Sequence, residues 1–383
     1  MHEDLLELRR NYPILDTKRG YLINNSLGAM PAAVHDRLRE YADLWATRGV
    51  VAWRDWIPEM TRVADLVGAV IGAPPGTTVM HQNVATLIGA VASALDFSGQ
   101  RNRIVYSVLD FPSCHYVWSA QARYGGEVVL VPSDDGMTVD PQRMVDAIDE
   151  RTLIVPISHV LFKSSSIFDF APVVERAREV GALVLLDAYQ SAGAVPLDVV
   201  AADVDFCVGG SVKWLCGGPA AGWLYGKPAV VEALRPTQVG WFGHAAPFEF
   251  VFDSIDYAPG IGRFAGGTPG VPAAYAAAPG YQTVLDVGVD RIRERSMSLT
   301  QPLLEGALER GFAVRSPVDP TTRGGAVTID PGDAEKVHHE LLARDFVVDH
   351  RPGAGIRVAP HFYNTAEECT AVLDEMAAIR SGR

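Results

Sequence analysis

The sequence predicts an α/β protein in which a large domain with a mostly parallel sheet is followed by a small carboxyl-terminal α+β domain. From about Thr61 to Lys213, apolar strand-like runs alternate with helix-like stretches, as repeated βα units do. After Lys213 the pattern changes to loops rich in Gly, Pro and aromatic residues, and then to short strands. The 383 residues are also too many for one modest core. We therefore expect an amino-terminal segment over 1–30 that joins the small domain, a large domain over 31–275 and a small domain over 276–383.

Charge and cysteine usage limit the kinds of partner. The net charge of −13 disfavours nucleic acid and anionic membranes, since both attract a basic surface. The first twenty residues are charged throughout and hold no apolar segment, so we expect neither a secretory signal nor a membrane anchor. Cys114, Cys207, Cys216 and Cys369 are scattered without paired spacing, which is typical of reduced thiols and of a chain without a zinc site. We expect a cytoplasmic protein.

The first elements combine turn-rich segments with helices. The stretch YLINNSLGAMP, which contains Asn25 and Ser26, predicts a turn-rich entry beside the functional site. A helix is predicted from about Ala33 to Thr47. The following loop holds Trp53 and Trp56, which either line a substrate pocket or pack against the body of the protein.

The next units supply a candidate phosphate site and a candidate stacking ring. TTVMHQNVATLIGAVASAL predicts a short strand, a turn at Gln82 and Asn83, and a helix. The amino terminus of a helix offers free N–H groups and a partial positive charge to a phosphate. The strand Ile104–Leu109 precedes Phe111, whose ring either stacks on a flat cofactor or packs in the core. Two more strands, EVVLVP and LIVPISHV, flank a helix capped by Asp140.

Two apolar strands that end in reactive side chains form the centre of the predicted site. LVLL ends in Asp187, and FCVGGSV ends in Lys213. In a parallel sheet both side chains would face the crevice at the carboxyl ends of the strands. A lysine amine can condense with an aldehyde, and a buried carboxylate can hold a pyridine nitrogen protonated. Pyridoxal phosphate (PLP) needs this pair. The alternative is that Asp187 caps a helix and Lys213 is a surface lysine.

The carboxyl-terminal part contributes a candidate binding residue for a substrate carboxylate. AGWLY predicts an antiparallel return strand, and a long helical segment from about Pro272 to Gly311 leads into the small domain. There, a final helix begins at Thr365, with Glu368 completing a capping box. Arg357, in the strand GIRVAP, offers a two-pronged donor that matches the carboxylate of an amino acid. The alternative for this arginine is a surface ion pair.

Seven motifs, in order along the chain, resemble the kynureninase branch of the class V aminotransferase superfamily, which are PLP enzymes of fold type I. The resemblance extends from about Tyr21 to Glu368. It implies a mostly parallel seven-stranded sheet flanked by helices, a small α+β domain and a homodimer with shared active sites. The motifs are NNSLGAMP, DFPSCHY, DAYQSAG, SVKWLCGGPAAG, VGWFGH, RFAGGTP and IRVAPHFYNTAEE.

The resemblance also implies roles for individual residues. Lys213 would bind the cofactor covalently, Asp187 would pair with the pyridine nitrogen, and Phe111 would stack on the ring. Gln190 would touch the phenolic oxygen or the imine of the cofactor. Arg357 would bind the substrate α-carboxylate. The phosphate ligands would be Gln82, Asn83 and Ser211, with Trp241 or Thr268 from the partner subunit. The remaining residues expected near the substrate are Asn25, Ser26 and Trp53.

The resemblance favours one reaction and leaves others open. Kynureninases hydrate the γ-carbonyl of their substrate and split its Cβ–Cγ bond, giving an aryl acid and alanine. This chain has Val212, Gln190 and Cys114 where those enzymes usually have tyrosine, histidine and aspartate. The missing tyrosine is a phosphate ligand and a proton donor. A C–S or C–C lyase, a transaminase, an epimerase and a non-catalytic PLP-binding regulator are the alternatives. A cysteine desulfurase is disfavoured because HRPGAGIR lacks the nucleophilic cysteine.

Overall fold

A mostly parallel sheet forms the centre of the fold, as the sequence predicts. The computed structural model describes residues 3–250, 252 and 254–382. The strands are β1 (Gly20–Tyr21), β2 (Thr78–His81), β3 (Arg103–Ser107), β4 (Glu127–Val131), β5 (Thr152–Ser158), β6 (Leu183–Asp187), β7 (Phe206–Gly210), β8 (Gly222–Gly226), β9 (Ala313–Val314), β10 (Val327–Asp330), β11 (Phe346–Val347), β12 (Asp349–Arg351) and β13 (Gly355–Val358). Within the described residues, seven of them form one sheet in the order β2-β8-β7-β6-β5-β3-β4. In this sheet of the described chain, β8 runs in the direction opposite to the other six strands, so it is antiparallel to both β2 and β7.

Helices cover both faces of this sheet. The α-helices are α1 (Glu3–Glu7), α2 (Val34–Arg48), α3 (Trp53–Val70), α4 (Val84–Ala92), α5 (Pro112–Ser119), α6 (Pro141–Ala147), α7 (Ala171–Val180), α8 (Pro228–Ala233), α9 (Val271–Val287), α10 (Val289–Glu309), α11 (Ala334–Ala343) and α12 (Ala366–Arg380). Alternate residues of β6 enter opposite apolar layers: Val184 and Leu186 pack with α3, α7 and α9, whereas Leu185 packs with α4 and α5. This period of two explains why the strands read as continuous apolar runs.

A second, smaller sheet lies in the carboxyl-terminal part. Its antiparallel order is β12-β13-β10-β9, and its apolar face packs against α10, α11 and α12. The amino-terminal segment joins this region, since β1 pairs in parallel with β11. Thr365 and Glu368 form the predicted capping box at the start of α12. These contacts agree with an amino-terminal segment bound to a small domain, while the exact domain limits stay a prediction.

One local prediction is wrong: Trp53 and Trp56, expected in a loop, lie in α3, where their spacing of three residues places both on one helix face. The predicted helical segment over 272–311 is confirmed as two helices, α9 and α10, which are separated at Gly288, whose φ of +86° is unfavourable for other residues. Helix α5 was not predicted. It begins at Pro112, because proline is preorganised for the first helical position. Among the described residues, no helix has both the length and the apolar character needed to cross a bilayer.

Candidate active site

A cavity of about 380 Å³ lies at the carboxyl ends of the central strands. Its floor contains Asp187, the last residue of β6, and Lys213, which follows β7 by three residues. The start of α4 and the start of α5 provide two of its walls. The residues that line it are Asn83, Val84, Ala85, Phe111, Ser113, Cys114, Ser158, Val160, Phe162, Asp187, Tyr189, Gln190 and Lys213.

Lys213 and Asp187 are both shifted toward their neutral forms. Burial lowers the pKa of the Lys213 amine to about 7, although the charge of Asp187 opposes the shift. Burial also raises the pKa of Asp187. The carboxylate accepts the backbone N–H of Tyr189 at 2.8 Å and the thiol of Cys114 at 3.4 Å. The amine is therefore poised as a nucleophile at neutral pH, and the carboxylate is a buried acceptor for a protonated ring nitrogen.

Aromatic rings surround the amine. The Nζ of Lys213 lies 4.1 Å from the centroid of the Tyr189 ring and 5.6 Å from that of Phe111. Phe111 is 40% exposed and meets Phe162 edge to face, with 5.3 Å between ring centroids. A planar group joined to Nζ would thus contact apolar ring faces. Sequence reasoning missed Tyr189 and Phe162; the only signal for Tyr189 was its position two residues after Asp187.

The predicted phosphate ligands do not all reach the cavity. Asn83 lines it and caps α4, where its side chain accepts the N–H of Thr86 at 2.9 Å. Gln82 is exposed and lies outside the lining. Ser211 is buried, also lies outside the lining, and gives its proton to the carbonyl of Ala221. The hydrogen bonds of Ser211 therefore give no support to its predicted phosphate role.

Gln190 is held at the cavity edge by neighbours from two directions. Its Nε2 donates to the carbonyl of Asn25 at 3.0 Å, and its Oε1 accepts the indole N–H of Trp214 at 3.2 Å. The second hydrogen on Nε2 stays free for a ligand. The Asn25 side chain is buried, and neither of its polar atoms has a partner in the described structure. Ser26 is half-buried and lies outside the lining.

Arg357 is buried near the cavity and is already paired. It forms an ion pair with Asp349 and donates to the carbonyl of Phe162 at 2.5 Å. Asp349 also lies 3.3 Å from a guanidinium nitrogen of Arg351, so two cations share one carboxylate. Both guanidinium groups contribute to the lowered pKa of Lys213. The surplus positive charge of the two guanidinium groups suits a substrate carboxylate. Asp349, which would compete with that carboxylate for Arg357, was not predicted.

Three predicted residues lie away from this cavity within the single chain. Trp53 packs against Trp56 and Phe242. Trp241 lies in a separate surface cavity and stacks on Phe250. Trp241 or Thr268 was expected to act from a partner subunit, and that role stays a prediction.

The described residues fit PLP. The buried Asp187 carboxylate can accept a ring N–H, burial lowers the pKa of the Lys213 amine to about 7, and Phe111 exposes a ring face. The start of α4, whose first-turn N–H groups have no partner within the helix, lines the same cavity through Val84 and Ala85. Such groups bind a phosphate dianion well. Asn25, whose backbone carbonyl accepts from Gln190, is not among the residues that line the cavity.

Comparisons with known proteins point to one family. The sequence model described as Aminotransferase class-V matches residues 20–372. The chain is 30% identical to the uncharacterized aminotransferase YcbU of Bacillus subtilis over 97% of both chains. It is 28% identical to a kynureninase of Bacillus thuringiensis, covering 91% of this chain and 85% of that one. A cysteine desulfurase from Thermococcus onnurineus has a similar fold, with a TM-score of 0.88, 21% identity and 98% coverage of both chains.

The Lys213 amine should react as a free base near neutral pH. An amine attacks an aldehyde only when unprotonated, and burial lowers this pKa from 10.5 to about 7. The rate at which apoprotein captures pyridoxal, followed by absorbance, should rise as the pH is raised through about 7 and then level off.

The variant Asp187→Asn tests how the charge of Asp187 affects the pKa of Lys213. Removing the negative charge that raises the Lys213 pKa should move the midpoint to lower pH. A rate that keeps rising to pH 10 in the unsubstituted protein would contradict the assignment.

Proposed function

The chain belongs to the class V aminotransferase family, and on that premise we propose that it hydrolyses the Cβ–Cγ bond of a kynurenine-like aryl β-keto amino acid. It is a PLP-dependent enzyme of this family. The observation that carries the proposal is the buried Lys213 amine, with its lowered pKa, in a cavity whose walls include Phe111, Phe162 and Tyr189. Flat apolar walls suit an aryl side chain. The kynureninase relative, matched over nine-tenths of this chain, supports the same substrate class.

Residues of this chain would divide the work of binding and proton transfer. When bound, PLP supplies a ring that stabilises negative charge at the substrate Cα. Asp187 would hold the ring nitrogen protonated, and Gln190 would donate its free N–H to the phenolic oxygen. Arg357 would bind the α-carboxylate, with Asp349 released to Arg351. Lys213, once displaced by the substrate amine, would accept the Cα proton at its Nζ.

The cysteines favour this reaction over thiol chemistry. All four cysteines lie within the described residues, and each is buried. Cys114 alone among them lines the cavity of the described structure, and burial together with the charges of Asp187 and Asp110 raises its pKa well above the usual range. The nucleophile in cysteine chemistry is the thiolate, which this environment disfavours. A desulfurase mechanism through an enzyme persulfide therefore has no support.

Transamination is a second candidate. Gln190 follows the wider class V pattern, and the relative YcbU is named an aminotransferase. In that reaction Lys213 would carry the proton taken from Cα, the substrate's amino group would pass to the cofactor, and water would supply the oxygen of the released oxo acid. The two candidates differ in their products, alanine with an aryl acid against an oxo acid.

We further propose that two copies share their sites and that the protein is cytoplasmic. The segment that follows Trp241 exposes Phe248, Phe250 and Phe252 at 52%, 64% and 95%, an apolar surface that a second chain can cover. Four buried free thiols suit a reducing compartment. Analytical ultracentrifugation of PLP-loaded protein should give the mass of a dimer, and a single-chain mass at micromolar concentration would contradict the association.

L-Kynurenine and 3-hydroxykynurenine should be turned over by PLP-loaded protein. Repeated formation of the aryl acid and alanine in equal amounts is expected, together with a change in the cofactor absorption spectrum. Lys213→Ala should lose product and the adduct fixed by borohydride, because it removes the amine that holds the cofactor.

Lys336→Ala, an exposed lysine of α11, is the matched control and should retain full activity. A spectral change without product would reject hydrolysis while retaining amino-acid binding. Release of an oxo acid would instead support transamination.

Arg357→Lys should raise KM by about tenfold or more with a smaller change in kcat. The lysine variant loses the two-pronged contact with the substrate carboxylate. Loss of such a charged, hydrogen-bonded pair accounts for the expected change in KM. Arg315→Lys is the control, since Arg315 lies on the surface and pairs with Asp330. An unchanged KM in Arg357→Lys would remove this arginine from the substrate site.

A further inference from the structure

The two residues directly before Lys213 supply no free hydroxyl to the cavity. Val212, directly before Lys213, has no polar side-chain atom. Ser211 donates to the carbonyl of Ala221, and because its only proton is used there, the Tyr281 hydroxyl must be the donor in its bond with Ser211. Both protons are therefore committed inside the protein. Neither Ser211 nor Tyr281 lines the cavity.

The ring of Tyr189 packs over Gly210 of β7, a position that has no side chain. A Cβ built on Gly210 would overlap the Cζ, Cε2 and hydroxyl oxygen of Tyr189. The glycine thus determines where the hydroxyl lies, over the last residue of β7 and next to Ser211. Tyr189 lines the cavity, and its hydroxyl makes no hydrogen bond to another described residue.

The same face of the sheet carries the start of α4. Gly210 pairs directly with Gly222 of β8. Residues paired in this way point to one face, with Cβ positions about 4.5–5.5 Å apart. A Cβ on Gly222 would lie 2.9 Å from the Cα of Asn83. The Tyr189 hydroxyl and the cap residue of α4 therefore lie over neighbouring positions of one face, on the wall of one cavity.

We propose that the Tyr189 hydroxyl donates a hydrogen bond to the phosphate of the cofactor, beside the start of α4. It thereby supplies the donor that Val212 and Ser211 do not. Burial and the charge of Asp187 raise the pKa of Tyr189 to about 12, so the hydroxyl keeps its proton at neutral pH. A hydrogen bond to a doubly charged phosphate is stronger than one between neutral groups. The inference rests on the cofactor and on no particular reaction.

Affinity for PLP and for pyridoxal, which lacks the phosphate, tests the proposal without reference to activity. Apoprotein would be titrated with each aldehyde and the dissociation constants taken from absorbance. Tyr189→Phe keeps the ring over Gly210 and removes only the hydroxyl. Its Kd for PLP should rise about ten- to hundredfold, the range for one hydrogen bond to a charged group, while its Kd for pyridoxal stays unchanged.

Tyr225→Phe is the matched control, since Tyr225 belongs to β8 but does not line the cavity. It should leave both affinities unchanged. Inorganic phosphate provides a second measurement: it should compete with PLP for the unsubstituted apoprotein, and more weakly for Tyr189→Phe.

Three results would overturn the proposal. One is an unchanged Kd for PLP in Tyr189→Phe, and another is an equal loss of affinity for both aldehydes, which would indicate a role for the ring environment. The third is a fall in kcat with PLP affinity intact, which would assign the hydroxyl to the substrate. In each case covalent capture of PLP by the unsubstituted protein would still establish the cofactor. Failure of the role proposed for Tyr189 can therefore be distinguished from failure of the proposed function.

Discussion

The burial of one carboxylate and one amine at the ends of adjacent parallel strands is the constraint on which the site depends. Asp187 pairs in register with Val208 of β7 and with Ser158 of β5, so its position is set by the middle of the sheet. Water is largely excluded there, and the charged forms of both groups are disfavoured. The pKa of Asp187 is raised and that of Lys213 is lowered, which leaves the amine nucleophilic. The fold thus prepares the reactive state through desolvation, before any ligand binds.

Close backbone approaches hold the segment that follows Lys213. A Cβ on Gly28 would overlap the carbonyl oxygen of Lys213, and a Cβ on Gly280 would overlap that of Leu215. The amino-terminal segment and α9 can therefore pack against this turn only because both positions lack side chains. The same packing brings the Asn25 carbonyl to Gln190. Elements distant in sequence thus orient the amide that borders the cofactor site.

The carboxyl-terminal sheet is connected to the cavity wall through carbonyl groups of one loop. Arg357 donates to the carbonyl of Phe162, and Thr328 donates to that of Lys163 at 2.7 Å. Phe162 in turn meets Phe111. A substrate carboxylate drawn to Arg357 would compete with Asp349 and act on the same loop that carries an aromatic wall. With the proposed role of Arg357, substrate binding and the shape of the cavity would be coupled through one guanidinium group.

The sequence by itself determined the family, the α/β fold and the positions of Asp187 and Lys213, because these depend on local patterns: apolar strands, the turns that end them, and motifs in order. The capping box at Thr365 is local for the same reason. The tertiary structure alone decided which hydroxyl is free. Ser211 is engaged by Ala221 and by Tyr281, 70 residues away, while the Tyr189 ring lies where Gly210 of another strand makes room. It also revealed Asp349 beside Arg357. Such pairings between distant residues depend on sheet register and packing, which no local pattern contains.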